Sequence, residues 1–157
     1  MKIFVAKDAG YCFGVRDAVN LAYDTAKEYG SVYMLGDIVH NEKVVDDLNN
    51  AGAKVVNDIN KIPKEQPVLL RAHGTKKNIW DDAKKKGLNV IDATCPLVHE
   101  IHKEVKKLSN DGRQIIIIGD HGHDEVIAIA DQVKNSIIIA NPEEAIALKK
   151  YKKAGVV

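Results

Sequence analysis

Five side chains that could do chemistry occupy equivalent places in this 157-residue sequence. Each follows a stretch that is predicted to be a β-strand, and the five are Cys12, His40, His73, Cys95 and His123. Because the carboxyl ends of parallel strands meet at one edge of a sheet, the loops that follow them can bring such residues together. Any one of them could be incidental, but five at equivalent places predict a functional site at that edge.

The two cysteines favour metal binding or nucleophilic chemistry. Cys95 lies between an apolar stretch, Leu88-Asn89-Val90-Ile91, and an amphipathic helix, and Cys12 lies on a similar loop between two glycines. The positive end of a helix dipole favours the thiolate, which is the form that binds metal or attacks. Two thiolates suit zinc or an iron–sulfur cluster. The alternative is that each cysteine is a small apolar residue packed at a tight junction.

The three histidines favour an anion. At a helix N-terminus, a ring N–H adds to the free backbone N–H groups that bind phosphate. Glu125 follows His123 by two residues and could donate a proton in a dry cleft. In contrast, His99 and His102 are predicted to be solvated on the polar side of their helix. The residues alone therefore indicate an anion site beside a possible thiolate metal site, and they do not indicate a reaction.

The alternation of strands and helices predicts an α/β fold with parallel sheets and helices on both faces. The predicted strands cover residues 2–6, 31–35, 53–56, 67–72, 88–92, 114–119, 136–140 and 154–157. The uninterrupted apolar run at 114–119 is typical of a strand that is covered on both faces. We expect two consecutive small α/β units, residues 1–92 and residues 93–157.

Composition and charge favour a cytoplasmic protein. The net charge is +1, so overall charge does not indicate nucleic acid or an anionic membrane as a partner. No apolar run approaches the roughly 20 residues that a membrane span needs, and we predict neither a membrane segment nor a signal peptide. In a reducing compartment the two cysteines are not expected to form a structural disulfide, which gives metal or catalytic use more weight.

Five motifs, in this order, resemble those of the 4-hydroxy-3-methylbut-2-enyl diphosphate reductase family, the last enzyme of the non-mevalonate isoprenoid pathway. They are Gly10-Tyr11-Cys12-Phe13-Gly14-Val15, Val39-His40-Asn41, Ala72-His73-Gly74, Asp92-Ala93-Thr94-Cys95-Pro96-Leu97-Val98 and Gly122-His123-Asp124-Glu125-Val126. The resemblance extends from Met1 to Val157. It implies an iron–sulfur oxidoreductase built from three similar α/β units around a central cleft.

The resemblance also implies a role for each site residue. Cys12 and Cys95 would be two of three cysteine ligands of a [4Fe–4S] cluster whose fourth iron is open to the substrate hydroxyl. His40, His73 and His123 would bind the diphosphate, with His123 and Glu125 at the reacting end and Glu125 relaying protons. Electrons from an external donor such as ferredoxin or flavodoxin would remove the hydroxyl as water. The products would be isopentenyl and dimethylallyl diphosphate.

Two departures from the family pattern affect these expectations. The family motif usually reads His-Pro-Glu, whereas this chain has His123-Asp124-Glu125, so that Asp124 is expected to add a charge beside the phosphate site. The family's third cysteine ligand lies downstream of Val157 and is absent from this chain. We therefore expect this chain to be the N-terminal part of the reductase, with a truncated second unit and little or no activity alone.

Three other interpretations stay open from the sequence. A phosphate-ester hydrolase or transferase would use the histidines and carboxylates but leave Cys12 and Cys95 without a role. A cluster-free α/β module would bind a diphosphate without iron. Two chains could also pool their four cysteines around one bridging cluster, which would then lack an open iron.

Overall fold

The structure is a computed structural model that describes residues 1–7 and 10–157. It contains seven strands, β1 to β7, and six α-helices, α1 to α6, in the part of the chain that it describes. The strands are β1 Val32–Leu35, β2 Ala53–Val56, β3 Pro67–Leu70, β4 Asn89–Asp92, β5 Gln114–Ile118, β6 Ser136–Ile139 and β7 Ala154–Val156. The helices are α1 Phe13–Tyr29, α2 Glu42–Asn50, α3 Lys77–Lys86, α4 Pro96–Asn110, α5 Asp124–Ala130 and α6 Pro142–Ile146.

The strands form two sheets in which every pairing is parallel. The first sheet has the order β2-β1-β3-β4 and the second has the order β6-β5-β7. This confirms the predicted α/β class with parallel sheets. The first sheet comes from residues 32–92 and the second from residues 114–156, while the domain boundary between residues 92 and 93 stays a prediction.

Strand alternation places helices on both faces of the first sheet. Successive strand residues point to opposite faces, so Val32 and Met34 of β1 enter one apolar cluster with α1 and α2. Their neighbours Tyr33 and Leu35 contact a second cluster that includes α3 and the 3₁₀ turn Ile59–Lys61. The central strand β3 is buried along its whole length, as expected for a strand between two helix layers.

The second sheet is covered less evenly. Ile115 and Ile117 of β5 pack against α4 and α5 in a third apolar cluster. On the opposite face Ile116 is also buried, but Ile118 is 64% exposed. The prediction of a strand covered on both faces is therefore wrong at Ile118. The five-residue helix α6 packs on the neighbouring strand β6 and leaves this end of β5 open.

The predicted first strand, residues 2–6, is wrong. Residues 1–6 have no regular secondary structure, and Ile3, Phe4 and Val5 are each at least 74% exposed. Apolar side chains favour a strand only where a neighbouring strand supplies backbone hydrogen bonds and a face to pack on. Neither described sheet pairs with this segment. Separately, none of the helices in the described ranges is long and apolar enough to cross a membrane.

Burial in the second unit predicts a clear contrast between two isoleucines. Ile117 is 1% exposed on the central strand β5, whereas Ile146 is 84% exposed at the end of α6. We expect Ile117→Ala to lower the free energy of unfolding by about 2–5 kcal/mol, because it leaves a cavity in the core. Ile146→Ala should change it by less than about 0.5 kcal/mol. Urea denaturation measures both, and similar losses would contradict this description of the core.

Candidate functional site

Three histidines from three separate loops meet at one edge of the fold. The His40 and His73 rings are stacked with centroids 4.5 Å apart and planes inclined by 22°. The His123 ring lies 5.9 Å from His40 and 5.8 Å from His73, in tilted and edge-on arrangements. The sequence predicted these residues at equivalent loop positions, and the structure brings all three together.

Local structure fixes each ring on its loop. His40 follows the buried residue Val39 and precedes Asn41, whose Oδ1 accepts the Val44 N–H at 3.2 Å and caps α2. His73 lies in a tight turn after β3, and Gly74 closes that turn with a positive φ of 87°, a conformation that favours glycine.

His123 is itself the N-cap residue of α5. The backbone N–H of Glu125 donates to its Nδ1 at 3.3 Å. In the neutral ring the proton is then on Nε2, which leaves Nε2–H available as a donor.

His73 is the electrostatic centre of the cluster. Burial lowers the pKa of His73, and the nearby His40, His123 and Arg71 lower it further, while Glu125 acts in the opposite direction. Its Nδ1 lies 3.7 Å from Glu125 Oε2, and its buried Nε2 has no hydrogen-bond partner among the described residues. An unsatisfied buried polar atom costs about 1–3 kcal/mol. A ligand oxygen that bonded to Nε2 would remove that cost.

The two thiols occupy matching positions at the N-termini of the two longest helices. Cys12 is the N-cap of α1 and Cys95 is the N-cap of α4, and neither side chain makes a capping hydrogen bond. Cys95 also approaches the other helix, because an added Cβ on Gly14 in α1 would lie 2.5 Å from Cys95 Sγ. Glycine at residue 14 is therefore what allows the Cys95 thiol to pack against the first turn of α1.

Cys12 reaches this place for a different reason from the one predicted. No strand precedes it in the described residues, so the expected strand-to-helix loop does not position it. Instead α1 packs on the first sheet and leads into β1, which puts its N-terminus at the edge where strands end. Cys95 is joined to the same edge by its backbone N–H, which donates to the carbonyl of Ala72, next to His73, at 2.9 Å.

The donor set suits an iron–sulfur cluster only in part. Among residues 1–7 and 10–157, no group of three or more His, Cys, Asp or Glu side chains is arranged to hold a metal ion. Two free thiols at helix N-termini fit the role of thiolate ligands. The sequence holds two cysteines, so it supplies two of the thiolates that a [4Fe–4S] cluster takes.

Asp124 does not add an unpaired charge beside the histidines. Its carboxylate accepts from both Nη atoms of Arg71, with Nη2 and Oδ1 3.0 Å apart. The sequence-based expectation of an added charge is therefore incomplete, because the Arg71 guanidinium neutralises it. The sequence analysis did not identify Arg71. The signal available was an arginine directly after the apolar run Pro67–Leu70 and two residues before His73.

The prediction that His99 and His102 are both solvated is wrong for His102. His102 is 8% exposed, and its ring lies against Gly74 at the contact between the two sheets' units. Burial lowers the pKa of His102, as do His99 and Lys106, against an opposing effect of Asp92. His99 is 45% exposed and pairs with Asp92 at 3.0 Å. Two faces of helix α4 are buried: one packs on the second sheet and the other on the first unit. The apolar period of the helix predicts only one buried face.

The family model described as LytB protein matches residues 3–157 of this chain. The chain belongs to the LytB family. It is 43% identical over 140 residues to the 4-hydroxy-3-methylbut-2-enyl diphosphate reductase of Clostridioides difficile, covering 88% of this chain and 50% of the relative. The Geobacter sulfurreducens reductase is 39% identical over 158 residues, with 100% of this chain and 56% of the relative covered.

Solved structures of LytB relatives have the same fold. The E-1-hydroxy-2-methyl-but-2-enyl-4-diphosphate reductase from Plasmodium falciparum matches with a TM-score of 0.90 and 32% identity, covering 96% of this chain and 48% of that one. A (E)-4-hydroxy-3-methyl-but-2-enyl diphosphate reductase, named as the terminal enzyme of the non-mevalonate pathway, matches with a TM-score of 0.86 and 34% identity. The chain spans about half the length of the curated relatives named above.

Because His102 is buried and its pKa is lowered, we expect the free energy of unfolding to fall in mild acid. Its pKa is lowered in the folded state from about 6.5, so the unfolded chain binds the extra proton first. The stabilisation is complete above pH 6.5 and is lost as the pH falls through the folded-state pKa. His73 acts in the same direction. We expect His102→Gln to make the free energy of unfolding less dependent on pH between 8 and 5, measured by urea denaturation. An unchanged pH dependence would contradict a neutral buried His102.

Proposed function

We propose that this chain forms the thiolate and diphosphate-binding part of a 4-hydroxy-3-methylbut-2-enyl diphosphate reductase. The observation that carries the proposal is the meeting of His40, His73 and His123 from three loops, with ring centroids within 6 Å of one another. Relatives that bear this name match at 39–43% identity, which supports the same reaction class. The substrate would be the small allylic diphosphate of that name.

The histidine cluster would bind the diphosphate group. The three rings offer N–H donors, and the unpartnered His73 Nε2 is already desolvated. An anion next to His73 would raise its pKa and favour its protonated form, which gives a charge-assisted hydrogen bond. Binding would therefore take up a proton, and affinity should increase as the pH falls toward 6.

Cys12 and Cys95 would hold the [4Fe–4S] cluster together with a ligand from outside this sequence. When bound, such a cluster supplies electrons, received from an external donor such as ferredoxin or flavodoxin, and an iron open to the substrate hydroxyl. Loss of that hydroxyl as water would give isopentenyl and dimethylallyl diphosphate. The thiols' place at two helix N-termini supports the thiolate state that ligation needs.

Glu125 would hold the proton that the leaving hydroxyl needs. Its side chain is 32% exposed, its backbone N–H is fixed by His123, and its Oε2 lies 3.7 Å from His73 Nδ1. Diphosphate binding that protonates His73 would place a proton on Nδ1, facing this carboxylate. His73 and Glu125 thus form a pair through which a proton can be exchanged at the edge of the cluster.

The binding proposal predicts a selective effect of one histidine substitution. His123→Asn removes the imidazole but keeps a side chain that caps α5 well. A lost charge-assisted hydrogen bond costs about 1.5–3 kcal/mol, so we expect the affinity for inorganic diphosphate to fall at least tenfold. Isothermal titration calorimetry at pH 7 measures the affinity.

His121→Asn is the matched control for that experiment. His121 is two residues away, 57% exposed and paired with Glu144 at 2.9 Å, outside the three-ring cluster. Its substitution should leave the diphosphate affinity within about twofold, since an exposed ion pair contributes little. Equal losses for the two variants would show that the three-ring cluster is not the binding site.

The cluster proposal predicts that iron uptake needs both thiols. We expect anaerobic reconstitution of the 157-residue chain with iron and sulfide to give bound iron and charge-transfer absorbance that Cys12→Ser and Cys95→Ser each abolish. Iron counting and visible absorbance measure the result. Wild-type iron in the double variant would refute cysteine ligation. A folded wild-type chain that takes up no iron but binds diphosphate would favour the cluster-free module instead.

A further inference from the structure

One arginine contacts all three loops that carry the histidine cluster. Arg71 belongs to the loop after β3, two residues before His73. Its guanidinium pairs with Asp124, which lies between His123 and Glu125 at the start of α5. An added Cβ on Gly36, in the turn after β1, would lie 3.1 Å from Arg71 Nη1, so the guanidinium also packs on the loop that leads to His40.

The geometry of the Arg71–Asp124 contact restricts how the two loops that carry these residues can move relative to each other. Two roughly parallel N–H···O bonds join the guanidinium to the carboxylate, and the side chains are only 26% and 36% exposed. A bidentate pair of this kind fixes the angle between its partners as well as their distance, because both groups are planar. It connects the end of β3 in the first unit with the N-terminus of α5 in the second.

We propose that Arg71 and Asp124 are positioning residues that set the spacing of the His40–His73–His123 cluster. The two histidines His73 and His123 lie within two residues of the pair, on opposite sides of the contact between units. Any rotation of α5 about this contact would move His123 and Glu125 together relative to His73. This inference rests on the proposed diphosphate site. It adds the residues that keep the three histidine rings at the distances that the site needs.

The direction in which Asp124→Asn changes the affinity for diphosphate distinguishes a positioning role from a purely electrostatic one. If Asp124 acted only through its charge, Asp124→Asn would remove a negative group and free a guanidinium, so that diphosphate would bind more tightly. If Asp124 positions the histidines, the same substitution lets α5 shift and diphosphate binds less tightly. Asn and Asp have the same size, whereas Glu keeps the charge on a longer side chain. A role in packing alone would therefore favour Asn over Glu.

The experiment measures inorganic diphosphate binding by calorimetry in wild type and in Asp124→Asn, Asp124→Glu, Arg71→Gln and the double variant Arg71→Gln/Asp124→Asn. We expect about a tenfold loss for Asp124→Asn and recovery to within threefold for Asp124→Glu. The double variant should lose no more than the worse single variant, because both break the same contact. Unchanged or tighter binding by Asp124→Asn, or losses that multiply in the double variant, would overturn the proposal.

Asp131→Asn is the matched control. Asp131 follows the other end of α5 and accepts the backbone N–H of Lys77, so it also joins this helix to the first unit. It is seven residues, about 10 Å of helix, from Asp124. We expect it to bind diphosphate within twofold of wild type even if it lowers stability. A tenfold loss in this variant would show that any contact between the units matters equally, which overturns a specific role for the Arg71–Asp124 pair.

Histidine side-chain NMR tests the positioning without any ligand. The edge-on His73 and His123 rings should show ring-to-ring nuclear Overhauser effects in wild type, which Asp124→Asn should weaken and Asp124→Glu should retain. Effects between the stacked His40 and His73 rings should survive in both variants. If wild type binds no diphosphate, the proposed function fails and this measurement alone decides the positioning. Unchanged His73–His123 effects in a folded Asp124→Asn variant would overturn it.

Discussion

Parallel pairing of strands is the constraint on which this structure depends. Before each new parallel strand the chain must cross back to the starting edge of the sheet, usually through a helix, so the loops that follow the strands of one sheet lie at the same edge. His40, His73 and His123 follow β1, β3 and β5, and their rings meet although they are 33 and 50 residues apart in sequence. Helices that pack against these strands run the opposite way, which also brings their N-termini, with Cys12 and Cys95, to the strand-end edges. Parallel pairing thus brings both kinds of side chain to the strand-end edge of each sheet, and the contacts between the two units bring these edges together.

The same convergence makes the histidine cluster costly to charge. Two protonated rings about 5.8 Å apart repel each other by about 3 kcal/mol at an effective dielectric constant near 20. Burial adds to this at His73, whose pKa is lowered, and the single carboxylate of Glu125 opposes it only in part. An anion with several negative oxygens reverses this balance, because it attracts all three rings at once. In the proposed diphosphate site the rings would therefore be fixed donors, and the bound anion would favour the protonated form of His73.

The sequence predicted most of the fold because its apolar periods are clear. The stretches at β3 and β5 are apolar throughout, as strands between helix layers require, and glycines follow α1 and α3 in the left-handed conformation that ends a helix. The strand predicted at residues 2–6 was wrong. The apolar pattern is present there, but no strand of the described sheets pairs with this segment. Strand formation depends on a distant neighbour, and a local pattern carries no information about whether that neighbour exists.

The candidate site was predicted by residue type and loop position, and what was missed depends on contacts between the units. His102 has polar neighbours along α4, yet its ring is buried against Gly74 from the first unit. The ion-pair partner of Arg71 is Asp124, which is 53 residues away in the sequence. Both contacts form only when the two units pack together, so no helical or strand period predicts them.

Asp124 illustrates how a tertiary contact can replace a local restraint. The motif of the resembled family usually has proline at this position, and the proline ring would stiffen the loop by fixing its backbone φ angle. Aspartate gives no such backbone restraint, but it receives two hydrogen bonds from Arg71 across the contact between units. The local restraint would act on the loop alone, whereas the ion pair also fixes the loop relative to β3 and to the turn at Gly36. In this chain the width of the histidine cluster therefore depends on how the two units are held together.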